Sequence, residues 1–168
     1  MPDYEVTRIH DRHYVDKSSI SDAQLGDVIH ALICAYDRDI DDFDEIIQHQ
    51  LSQYGFDQFI DARWLQESIV AFYDYIDATY PDAIIHKELP IQSIDAEGHL
   101  INGYIDMLIE LTDELVIIDH KTFVMKDYNE EVYTAKAYSY SGQLGVYAQQ
   151  LSKAFMKDVS QKLSLIHI

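Results

Sequence analysis

Apolar residues recur along this chain at two periods, and the change between them divides it. Leu25, Ile29, Leu32, Ile33 and Tyr36 fall three and four apart, which predicts a first helix over about 22–37, with Ser21 or Asp22 as its N-cap. Phe43, Ile46, Ile47, Leu51 and Tyr54 predict a second helix that ends near Gly55. Trp64, Leu65, Ile69, Phe72, Tyr73 and Ile76 predict a third over about 60–79, stopped by Tyr80-Pro81-Asp82.

After residue 82 the period shortens to two. Ala83 to Ile91 reads as a strand with Pro90 near its end, and Glu88 shares a face with Ile84 and His86. Asp95-Ala96-Glu97-Gly98 is a hairpin turn. Leu100 to Leu111 and Leu115 to Phe123 follow as strands, turned by Thr112-Asp113-Glu114. Val116-Ile117-Ile118 is apolar on both faces, as in a sheet centre. Helical spacing returns over about 133–156 through Tyr140, Leu144, Tyr147, Ala148, Leu151 and Phe155. The pattern therefore predicts a mixed α/β (α+β) fold: helices, a three-stranded antiparallel hairpin sheet, then a helix, cut short before any last strand. Residues 1–19, including His10 and His13, read as an N-terminal segment or linker, and 20–160 as one domain. Residues 163–168 would serve as the start of a fourth strand. They also match the translation of a common sequencing-library adapter, and are set aside as a non-native tail.

Composition narrows the chemistry. The 168 residues suffice for a core without disulfides, and the single Cys34 excludes an internal disulfide framework or a cysteine-ligated zinc or iron–sulfur site. No apolar run is long enough to span a bilayer and no signal peptide opens the chain, so a cytoplasmic protein is expected. The net charge of −18 disfavours non-specific binding to a polyanion. Phosphate must then be met by a local patch or by metal ions. Asp39, Asp41, Asp42, Asp44 and Glu45 lack the spaced Gly and terminal Glu of an EF-hand, and read as a solvated face.

The chemistry concentrates where two apolar strands carry acids. Glu88 lies on the first strand, Asp106 on the second, and Asp119 and Lys121 share a face of the third. An acid at the end of an apolar strand is costly unless a positive charge meets it. Carboxylates of this kind suit a hard divalent cation, and His30 on the first helix would be compatible with Mg2+ or Mn2+. Gln143, Tyr147, Lys136 and Tyr140 share one flank of the last helix. No Ser- or Cys-based triad is evident, and phosphodiester hydrolysis needs none.

Five segments together resemble the PD-(D/E)xK nuclease superfamily, and within it the RecB-like nuclease domain at the C-terminus of AddA/RecB-type and UvrD-like helicase–nucleases. They are Leu25-Gly26-Asp27-Val28-Ile29-His30, His86-Lys87-Glu88-Leu89-Pro90-Ile91, Gly103-Tyr104-Ile105-Asp106, Val116-Ile117-Ile118-Asp119-His120-Lys121-Thr122, and Gln143-Leu144 with Tyr147. The resemblance spans roughly residues 22 to 156. It implies a restriction-endonuclease-like core, with His30, Asp106, Asp119 and the backbone carbonyl of His120 as ligands of Mg2+ or Mn2+. It further implies Lys121 as the catalytic lysine, Glu88 as an acid near the metal, and Gln143 and Tyr147 as positioning DNA or the attacking water. No iron–sulfur cluster is expected, since the cysteines of the branches that carry one are absent. No Walker A sequence is present, so a helicase motor would act in cis, in a longer chain, or in trans.

The expected function is a metal-dependent DNA nuclease, an exonuclease rather than an endonuclease. It would act on single-stranded ends in break repair and recombination. Lys126, Lys136 and Tyr140 are the expected DNA path, with no role at a membrane. Two alternatives are an inactive nuclease-like interaction module and a Mg2+-dependent phosphoesterase of small substrates.

Overall fold

The computed structural model describes residues 21–94, 97–123 and 130–167. The N-terminal segment with His10 and His13, Asp95 and Ala96 of the expected hairpin turn, and Lys126 lie outside them. Two compact units are present, one built on three helices and one on a sheet with a long helix.

In the helical unit, α1 is Asp22–Ala35, α2 is Phe43–Gln53 and α3 is Ala62–Thr79. Ser21 caps α1, its Oγ accepting from the Gln24 N–H at 3.5 Å. Asp61 does the same for α3, accepting from the Trp64 N–H at 2.9 Å. Asp44 and Glu45 stand in the first turn of α2, where the helix dipole favours acids. That helix ends in a Schellman motif: Phe56 N–H reaches the Leu51 carbonyl at 2.8 Å and Gly55 N–H the Ser52 carbonyl at 3.1 Å. Gly55 takes the left-handed conformation this closure needs, with φ of 72°.

Tyr36 ties the three helices together. Its ring lies 4.9 Å from those of both Phe43 and Tyr73. The buried Tyr73 hydroxyl donates to the Ile33 carbonyl at 2.8 Å, which satisfies an acceptor near the end of α1. Burial pushes the Tyr73 phenol well above its ordinary range. Arg38 bridges Asp74 and Asp77 on α3 at 2.7 Å each, and its exposure keeps that pairing modest.

The remaining elements are β1 (Ile84–Ile94), β2 (Leu100–Glu110), β3 (Glu114–Phe123), α4 (Glu130–Phe155) and β4 (Asp158–His167), with sheet order β1-β2-β3-β4, and the second unit takes β3 as far as His120 and β4 as far as Ser164. The first two strands pair antiparallel from Ile84 opposite Glu110 to Ile94 opposite Leu100. The second and third, β2 and β3, pair antiparallel from Glu110 opposite Leu115 to Met107 opposite Ile118. Ile105, Leu108, Leu115 and Ile117 of the sheet form a core with Leu144, Tyr147, Ala148 and Leu151 of α4. A large apolar side chain in such a core contributes about 1.5–3 kcal/mol on burial. Val116, Ile117 and Ile118 are all buried, as expected of a central strand.

The fold differs from the expected three strands by a fourth. It begins at Asp158 and takes in residues as far as His167. Its first five residues include only Val159 as an apolar residue, so no two-residue period announces it. Met156, with φ of 51°, ends α4 and turns the chain toward this strand. Among the described residues no helix is long and apolar enough to cross a membrane.

Candidate active site

The register aligns three acids. Lys87 faces Met107 and Leu89 faces Ile105, so Glu88 stands opposite Asp106. Met107 faces Ile118 in the last pair of the β2–β3 ladder, and Asp106 and Asp119 are the next residue on each strand. Glu88, Asp106 and Asp119 thus form one row across β1, β2 and β3. Glu88 is exposed, and the two aspartates are half-buried. The Asp119 Oδ2 atom is sealed from solvent. Like charges on directly facing strand positions repel, and burial adds to the cost. All the side-chain donors in the row are hard carboxylate oxygens, which fits a divalent cation such as Mg2+ or Mn2+.

The row interrupts regular backbone. Glu88 has φ of 52°, a left-handed conformation in the middle of β1, and the ladder skips its pairing with Asp106. A non-glycine residue held there costs about 1–2 kcal/mol. Strain of this kind collects at functional sites because the surrounding structure must over-determine it.

Asp106 is held in place by β3. The His120 backbone N–H donates to Asp106 Oδ2 at 2.8 Å. A hydrogen bond to a carboxylate is stronger than one between neutral groups, and this one fixes the carboxylate's orientation. The His120 side chain is itself buried. Lys121 is half-buried and, two residues beyond Asp119, falls on the same face of β3.

Besides the shared apolar core, α4 approaches β2 closely at Gly103. Tyr147 is buried, and a β-carbon built on Gly103 would collide with its hydroxyl and lie 2.8 Å from its Cζ. Gln143 Nε2 donates to the Tyr147 hydroxyl at 2.9 Å. Gln143 remains exposed. Gly103 and the Gln143–Tyr147 segment, far apart in the chain, are therefore the two halves of one contact. It braces the strand that carries Asp106.

His30 lies half-buried on α1, in the helical unit. Lys136 and Tyr140 fall on α4, and their side chains lie outside the described part of the structure. One polar cluster has no counterpart in the sequence pattern. The Glu110 carboxylate receives His86 Nε2 at 2.9 Å and Lys157 Nζ at 3.2 Å, and Lys157 also donates to the Leu111 carbonyl at 2.9 Å. The His86 contact first, and Lys157 second, hold Glu110 below the usual carboxylate range. Alternation places His86 on one strand face, but the role of Lys157 depends on where α4 ends.

The profile of the PD-(D/E)XK nuclease superfamily matches residues 4–167, and the chain belongs to that superfamily. It is similar to an ATP-dependent helicase/nuclease subunit of Ligilactobacillus salivarius (strain UCC118), at 29% identity over 170 residues, covering 88% of this chain and 13% of that protein. It is also similar to the ATP-dependent helicase/nuclease subunit of the same designation from Streptococcus sanguinis (strain SK36), at 22% identity over 151 residues, covering 83% of this chain and 12% of that protein. The chain thus spans roughly an eighth of the length of these relatives.

Proposed function

We propose that the chain is a divalent-metal-dependent deoxyribonuclease domain, an exonuclease working with a helicase motor on single-stranded ends in cytoplasmic double-strand-break repair and recombination. The observation that carries this reading is the row Glu88–Asp106–Asp119, with Lys121 on the Asp119 face of β3. The superfamily supports hydrolysis of nucleic acid, and the relatives' names support the helicase context.

Asp106, Asp119 and the His120 carbonyl would hold Mg2+ or Mn2+, and Glu88 adds a third carboxylate to the row. The role given to His30 rests on the family pattern and is tested by its own substitution. When bound, the cation supplies charge neutralisation at the phosphate and acidifies water. The His120 N–H keeps Asp106 oriented before substrate arrives. Lys121 orients the attacking water and offers its ammonium to the negative charge that builds on the phosphoryl oxygens. Gln143, exposed beside Tyr147, would touch the strand, and Lys136 and Tyr140, four residues apart on the same helix, would continue that path.

The test is cleavage of end-labelled single- and double-stranded DNA with Mg2+ or Mn2+. The wild type should cleave, while Asp119→Ala and Lys121→Ala should each lose about a hundredfold or more in kcat. Metal-independent cleavage, or full activity in both variants, would overturn the reading.

A further inference from the structure

The β1–β2 hairpin carries an exposed surface that the row of acids does not use. Pro90 faces Tyr104, Gln92 faces Asn102, and Ile94 faces Leu100. All six are exposed, with Tyr104 at 63%, Ile94 at 67% and Leu100 at 63%. The two-residue period carries this face along β1 and β2 only up to Glu88 and Asp106, where the left-handed Glu88 interrupts the ladder and beyond which Leu108 joins the same core as Ile105. The opposite face is already occupied: Gly103 meets Tyr147, while Ile105, Leu89 and Ile91 join the α4 core. An exposed aromatic and an exposed aliphatic pair on a sheet face contribute little to folding.

Charge distinguishes this surface. The chain has 30 acidic and 12 basic residues, yet none of the six positions carries a charge. The six positions themselves present no carboxylate to a polyanion, and Tyr104 is two residues from Asp106 along β2. Six residues of strand extend the surface by about 20 Å.

We propose that this face is a stacking platform for single-stranded DNA, with Tyr104 as the base-stacking residue nearest the acids and the Gln92–Asn102 amide pair as hydrogen-bonding partners of the strand. The proposal deepens the nuclease reading and rests on it for the direction in which the strand runs. Aromatic faces suit this task because every base has a π-face, so binding is tolerant of sequence. Stacking also does not depend on positive charge, which the chain lacks in excess. Tyr104 is here a substrate-positioning residue.

The test uses the full chain and a short fluorescent oligothymidylate. Anisotropy measures binding without metal, and cleavage with Mn2+ gives KM and kcat separately. Tyr104→Ala should weaken binding about tenfold and raise KM to match, leaving kcat nearly unchanged, while Tyr104→Phe should keep wild-type values. The loss on Tyr104→Ala should persist at raised salt, unlike that of a phosphate contact. Wild-type binding by Tyr104→Ala, an equal loss in Tyr104→Phe, or no oligothymidylate binding by the wild type overturns the platform; in the last case the face belongs to a protein partner. Tyr104-dependent binding with no cleavage in any protein supports the platform and removes the nuclease reading instead. Cleavage that needs Asp119 but ignores Tyr104 does the reverse.

Discussion

The Tyr147 hydroxyl occupies the space that a β-carbon on residue 103 would fill. Together with the core of Ile105 and Leu108, this contact joins α4 to the strand carrying Asp106. It explains why a glycine is needed inside β2, where glycine otherwise weakens a strand.

Gly103→Ala should therefore destabilise the domain by about 1–3 kcal/mol through overpacking. Tyr147→Phe removes the hydroxyl and the Gln143 bond, so it should relieve part of that cost. A double-mutant cycle by urea denaturation measures the coupling, which should be about 0.5–3 kcal/mol. Additive effects would mean that the two residues do not meet.

Glu88 should trade stability for function. Glu88→Gly removes the strain of a left-handed side-chain-bearing residue and should stabilise the fold by about 1 kcal/mol, net of glycine's extra chain entropy. The same change removes a carboxylate from the row and should lower Mn2+-dependent cleavage. Urea midpoints and cleavage rates on one preparation check both halves. Unchanged cleavage would take Glu88 out of the site.

Glu110 should set part of the acid stability. Its folded pKa is depressed, first by His86 and then by Lys157. The stabilisation is therefore present above the ordinary carboxylate value of 4.5 and is lost as pH falls through the lower folded value. Glu110→Gln should lower Tm at neutral pH and converge on wild type in acid. A constant difference in Tm at every pH would contradict this origin.

Much of this is legible in the residues. Leu25, Ile29, Leu32 and Ile33 announce α1 because one helical stripe is buried, and all four are in the core. Val116-Ile117-Ile118 announces a central strand for the same reason. Asp106, Asp119 and Lys121 stand out because polar groups at the end of apolar strands are rare. What stays hidden depends on contacts distant in sequence. The Gly103–Tyr147 contact needs the helix docked on the sheet, and in the sequence Tyr147 looks like one more residue of an aromatic flank. The left-handed turn at Glu88 has no local signal, since glutamate does not favour it. β4 is obscured by its polar first half, Asp158 to Lys162.

The row of acids, as a cation site, is what should make cleavage possible. Mn2+ titration by calorimetry, on the wild type and on Asp106→Asn and Asp119→Asn, tests this most directly, with circular dichroism to confirm that each variant is folded. The wild type should bind Mn2+, and each variant should lose that binding together with cleavage. Undiminished Mn2+ binding in both folded variants would contradict it.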